Sequence, residues 1–274
     1  MVSALGAPSA PVDSASMHEL SPLVWSSGVS RADGANLTQA AIEVAGIDVR
    51  DIAAEFGTPL YVLDEADFRA RAAAFRDAYL DEEIPGQVYY AGKAFLSATT
   101  LGWLAEEGLS LDVCSGGELA LALRAGFPAD RISFHGNNKS WDEIESGVAA
   151  GISSFVIDSF EEIARLADAA GRHGRIVDVL VRVTVGVEAH THEFIATAHE
   201  DQKFGLSLSS GAAAEAIRRI VKLPSLNLIG LHSHIGSQIF DAAGFEVSAH
   251  RLVGLAAAVR DELGFEVAEL NLGG

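Results

Sequence analysis

From Pro59 onward, short apolar or β-branched runs alternate with longer alanine-rich stretches whose apolar residues recur at helical spacing. This alternation is the tightest constraint on the fold, because it is the pattern of repeated βα units. The expected strands are PLYVLD (59–64), VYYAGK (88–93), LSLDVCS (109–115), RISFHG (131–136), SSFVIDS (153–159), VDVLVRV (177–183), LNLIGLHSH (226–234) and AELNLGG (268–274). Between them SATTLGWLAEEG, GELALALRAG, SWDEIESGVAAG and SFEEIARLADAAG read as helices, several opening on Ser and closing on Gly. These are start and stop signals.

Seven such strands after residue 87 predict an α/β fold of the (β/α)8 barrel type rather than an open doubly wound sheet. An open nucleotide-binding sheet would favour a G-x-G-x-x-G turn, and neither that motif nor a Walker-type glycine loop occurs. With an eighth strand absent the barrel cannot close, so it is expected to be incomplete at its C-terminus. Residues 1–45, rich in Ser, Ala, Gly and Pro, read as a mostly irregular extension, and 46–274 as the barrel domain. Residues 184–208 are the longest non-repeating connection, where a binding loop is expected.

Composition narrows the partners. A formal charge of -19, from 38 acidic against 19 basic residues, argues against a nucleic-acid surface. No run approaches the roughly 18 apolar residues needed to span a bilayer, and no secretory leader is evident, so membrane insertion is not expected. A single cysteine, Cys114, excludes an internal disulfide and a cysteine-based zinc site, and it suits a reducing cytoplasm.

The polar residues at the expected strand ends are Lys93, Asp112, His135 with Asn137, Asp158, Arg182, and His232 with His234. In a barrel they converge on one mouth. Each also has a plain structural reading. Asp158 before Ser159 reads as a helix cap, and Arg182 as the partner of a loop carboxylate. Lys93 follows the apolar run VYYAG in a chain with four lysines against 15 arginines. It is either a rim lysine extending from a strand end or an amine kept because a nucleophile has to be Lys. Lys139, Lys203 and Lys222 read as ordinary loop or helix-end residues. The alternate histidines of HSHIGSQ could share a metal, but no third ligand is convincing, since His190, His192 and His199 fit no zinc spacing. A flat imidazole stacked on a planar cofactor, beside Gly-Ser and Gly-Gly turns that hold an anion, uses the same residues more naturally.

The ordered segments FGTPLYVLDE, YYAGKAF, LDVCSGGEL, FHGNNKS, VRVTVG, DQKFGLSL, LHSHIGSQ and LNLGG resemble the alanine-racemase-like barrel of the pyridoxal-phosphate (PLP) dependent ornithine, diaminopimelate and arginine decarboxylases. The wording of FHGNNKS and GVEAHTHEFIATAHEDQKFG is similar to the diaminopimelate branch of that family. The resemblance implies that Lys93 is the catalytic lysine, linked to PLP as an internal aldimine. It places Asp112 near that lysine, His234 on the pyridine ring, Ser237 on the phosphate, and Arg182 on the O3' side. Gly273 and Gly274 would open a triple-glycine phosphate loop. It further implies decarboxylation of meso-2,6-diaminopimelate to L-lysine and CO2 by a homodimer, with Cys114 not the catalytic cysteine. The family's E-P-G-R and C-E-S-x-D segments have no counterpart here, so the 274-residue chain alone is expected to be catalytically poor or inactive.

Overall fold

The computed structural model describes residues 25–31, 42–80, 85–187, 203–236 and 242–273. Its contacts divide the chain into two compact units, Met1–Glu82 and Glu83–Gly274.

In the first unit, β1 (Val29–Arg31), β2 (Ile42–Val44) and β3 (Ile47–Asp48) form an antiparallel sheet in sequence order. Ala45 and Gly46, both at positive φ (52° and 77°), make the two-residue turn that a β-hairpin favours. The domain boundary expected at residues 45 and 46 falls in this turn, and β1 lies in the stretch expected to be mostly irregular. Helix α1 (Val49–Phe56) starts where Asp48 accepts a hydrogen bond from the Arg50 amide, and α2 (Glu65–Leu80) follows. The expected strand PLYVLD joins no ladder, and Leu60, Tyr61, Val62 and Leu63 are exposed. β-propensity marks a segment that can pair, but a strand also needs a neighbour's amides and carbonyls. Asp64 instead accepts from Ser26 Oγ at 2.8 Å and from the Asp67 amide at the head of α2.

The second unit runs β4 (Tyr89–Ala91), α3 (Ala98–Glu106), β5 (Ser110–Val113), α4 (Gly116–Arg124), β6 (Ile132–Phe134), α5 (Trp141–Ala150), β7 (Ser154–Ile157), α6 (Phe160–Arg172), β8 (Val177–Thr184), β9 (Leu206–Ser207), α7 (Ala212–Ile220), β10 (Leu226–His232), α8 (Ala243–Leu263) and β11 (Glu269–Asn271). The seven strands expected after residue 87 are all present. They pair in parallel in the order β4-β5-β6-β7-β8-β10-β11, with β9 joining the end of β8. The order never reverses, which is barrel winding; a doubly wound sheet turns back at a switch point. Among the described residues β4 and β11 do not pair with each other. The arc is therefore open.

Burial follows from that. All four residues of β7 are buried, as a strand covered on both faces requires, whereas β4 is half-buried and Leu270 of β11 is 43% exposed. Phe134 and Phe155 stack at 5.8 Å between neighbouring strands β6 and β7. The serines do start the helices: Ser97, Ser115, Ser140 and Ser159 each accept the amide three residues on, and Ser97 and Ser140 complete capping boxes with Thr100 and Glu143. Ser159 rather than Asp158 caps α6, which corrects the cap reading of Asp158 and leaves its carboxylate available for tertiary contacts.

Candidate functional site

Strand register decides which side chains meet. Asp112 stands between Ala91 and Ser133, and Arg182, His232 and Asn271 lie side by side across β8, β10 and β11. Because the strands run in parallel, their carboxyl ends form one mouth.

Lys93 lies in the turn two residues beyond the end of β4 and is exposed. Gly92, just before it, is buried, and its amide donates to the Asp112 carbonyl at 2.8 Å. A Cβ on Gly92 would stand 2.8 Å from that oxygen, so only glycine lets the lysine turn lie against β5.

Asp112 is half-buried, with its Oδ1 3.1 Å from His135 Nε2, although neither atom completes a hydrogen bond. The His135 ring meets His232 edge-on at 4.9 Å. His232 is buried, and its Nδ1 has no hydrogen-bond partner. Burial first, and then His135 and Arg182 nearby, hold its pKa well below the usual 6.5. His234 lies two residues past the end of β10, half-buried, with its pKa lowered to about 4 by burial and then by Lys93, Arg182 and His135, against an opposing pull from Asp112. These are the residues expected to converge. His232 is buried and His234 half-buried, and among the described residues no cluster of three metal-ligating side chains occurs.

Gly273 has φ +69° and donates its amide to Asn271 Oδ1 at 2.9 Å. A Cβ there would come within 2.7 Å of the Ser233 carbonyl and 2.8 Å of His234 Nδ1. The glycine turn thus rests against the imidazole. Ser237 and Gly274 lie outside the described residues, as do His190, His192 and His199 of the long connection.

Beside this group sits one that sequence reading passed over. Lys139, expected to be an ordinary loop lysine, is 3% exposed. Its Nζ donates to the carbonyls of Gly136 at 2.9 Å and Val156 at 2.7 Å, and to Glu162 Oε1 at 2.6 Å. Burial pushes the Glu162 carboxyl upward, against the pull of Lys139. The Ser159-x-x-Glu162 spacing was the available signal, but it reads as a helix start and says nothing of Lys139. Arg182 lies 3.5 Å from Asp158 and under the Phe204 ring at 4.6 Å. Asn137 donates to the Lys203 carbonyl at 2.8 Å, which gives that residue a structural contact.

Both histidines carry a pH signature. With folded pKa values below 6.5, they bind protons more readily in the unfolded chain, so their contribution to stability is present above about 6.5 and is lost as pH falls, for His234 through about 4. The fall in urea midpoint between pH 7 and pH 5 is expected to be shallower in His234→Gln than in the parent; an equal slope would contradict the assignment.

A singly wound parallel β/α layer of seven strands thus brings a lysine, a half-buried imidazole and a glycine turn to the carboxyl ends of its strands. The chain belongs to the pyridoxal-dependent decarboxylases: the family model described as pyridoxal-dependent decarboxylase, pyridoxal binding domain, matches residues 65–274. The diaminopimelate decarboxylase of Mycobacterium bovis is 52% identical over 263 residues, covering 93% of this chain and 56% of that protein. That of Mycobacterium leprae is 57% identical over 230 residues, covering 84% and 48%. The chain spans about half the length of the curated relatives it matches. A crystal structure of diaminopimelate decarboxylase from M. jannaschii in co-complex with L-lysine superposes with a TM-score of 0.78 at 31% identity, covering 90% of this chain and 57% of that one.

Proposed function

We propose that this chain is the cofactor-holding part of a PLP-dependent enzyme that decarboxylates meso-2,6-diaminopimelate to L-lysine and CO2. The observation that carries the reading is the gathering of Lys93, Asp112, Arg182 and Gly273 around the half-buried His234. The relatives' names and the L-lysine bound in the M. jannaschii protein supply the substrate. Cytoplasmic location and a homodimeric active form belong to the same reading; the lone cysteine suits the first and the family resemblance implies the second.

The residues fit the cofactor. Gly273 lets the terminal turn lie directly against His234, where any side chain would collide with the Ser233 carbonyl, and the imidazole, its pKa lowered to about 4, offers an uncharged face to a pyridine ring. When bound, PLP supplies an electron sink for the pair released as CO2 departs. The Lys93 amine is the group that would hold the cofactor covalently. The Asp112 carbonyl holds the Gly92 amide beside Lys93, and the Asp112 side chain is the nearby acid that would serve that amine. Arg182 would steady the O3' side, and the terminal glycine turn with Ser237 would hold phosphate.

Incubation of the 274-residue chain with PLP, followed by borohydride and peptide mapping, is expected to place a pyridoxyl mass on Lys93. A label found only on Lys203 or Lys222, or none on folded protein, would count against the reading. CO2 release by a complete homologous chain that favours ornithine or arginine over meso-diaminopimelate would overturn the substrate and leave the cofactor standing. Gly92→Ala is expected to weaken PLP binding tenfold or more, since displacing a reacting group by about 1 Å can cost on the order of a hundredfold. Parent-like affinity would show that the turn tolerates a side chain.

A further inference from the structure

We infer that Lys139, Glu162 and Asp158 form a positioning relay that sets the Arg182 guanidinium in one orientation toward the O3' side of the cofactor; this rests on the PLP reading above. Lys139 and Glu162 are sealed, with side-chain exposures of 1% and 5%. The lysine ties the Gly136 carbonyl after β6 to the Val156 carbonyl of β7 and to Glu162 on α6. Through its other oxygen, Glu162 accepts the Asp158 amide at 3.0 Å. Asp158 is thereby fixed at the backbone.

Its carboxylate then divides two tasks. Oδ1 accepts the Gly205 amide at 2.7 Å, and Oδ2 faces Arg182 Nη1 at 3.5 Å. The segment carrying Gly205 is held from two further sides, by Thr184 Oγ1 donating to the Phe204 carbonyl at 2.5 Å and by the Asn137 amide on Lys203. Phe204 consequently lies over the guanidinium at 4.6 Å. One face of Arg182 meets an aromatic ring and one end meets a fixed carboxylate. A buried ion pair seldom adds stability over an apolar pair of the same volume. What Lys139 and Glu162 supply here is geometry: they lock β6, β7 and α6 behind Asp158.

The test separates position from mere structure. Lys139→Met combined with Glu162→Leu removes one positive and one negative charge together and fills the space with apolar groups. In the 274-residue chain this double variant is expected to melt cooperatively but to bind PLP about tenfold more weakly, equivalent to about 1.4 kcal/mol. The two absorption bands of the bound cofactor, which report whether its phenolic oxygen carries the proton, should exchange at a different pH from the parent. Asp158→Asn, which keeps an acceptor for Gly205 but loses the charge facing Arg182, should weaken binding similarly, and the loss should vanish in an Arg182→Met background. If the double variant does not fold, Asp158→Asn and this cycle decide alone. Parent-like PLP affinity and band ratio in folded variants would overturn the relay while leaving the cofactor reading intact. A parent chain that takes no label on Lys93 would overturn both.

Discussion

Replacing Glu162 by glutamine is expected to destabilise the chain by about 3–5 kcal/mol, because it strands an ammonium in the interior. Lys139 is 3% exposed, and its carboxylate partner is the only anion among its three hydrogen-bond acceptors. Glutamine can still accept a hydrogen bond, so the shape survives and the charge balance does not. An exposed pair sets the scale: Glu215, bonded to Arg219 on the surface of α7, is expected to tolerate the same change with little or no loss. Urea unfolding of the two variants beside the parent measures both. A loss at Glu162 no larger than that at Glu215 would mean that water reaches Lys139.

Lys93→Arg is expected to abolish covalent capture of PLP altogether while leaving the fold unchanged. A guanidinium stays protonated and cannot attack an aldehyde, yet it keeps the positive charge beside His234. Because Lys93 is exposed, the substitution should shift stability by no more than about 0.5 kcal/mol. Intact mass after borohydride treatment should show the pyridoxyl addition in the parent and none in the variant. Residual labelling would assign the chemistry to another lysine.

Much of the mouth was legible in the chain because local signals and order suffice for it. Lys93, Asp112, Arg182 and His234 each follow or end an apolar run, and runs that alternate with helices put their ends on one side. The errors share a cause. PLYVLD has the alternation of a strand but no ladder, and Asp158 has the composition of a cap while Ser159 does the capping. In both cases the side chain or backbone had a choice of partners, and the choice was made by neighbours far along the chain.

What the sequence by itself determined is the seven parallel strands after residue 87 and the helix starts at Ser97, Ser115, Ser140 and Ser159, because period and capping act within a few residues. Only the tertiary structure decided that Lys139 is buried on Glu162, that His232 is sealed while His234 is half-buried, and that Phe204 lies over Arg182. Those outcomes depend on desolvation and charge between residues 20 or more positions apart, which no local pattern encodes.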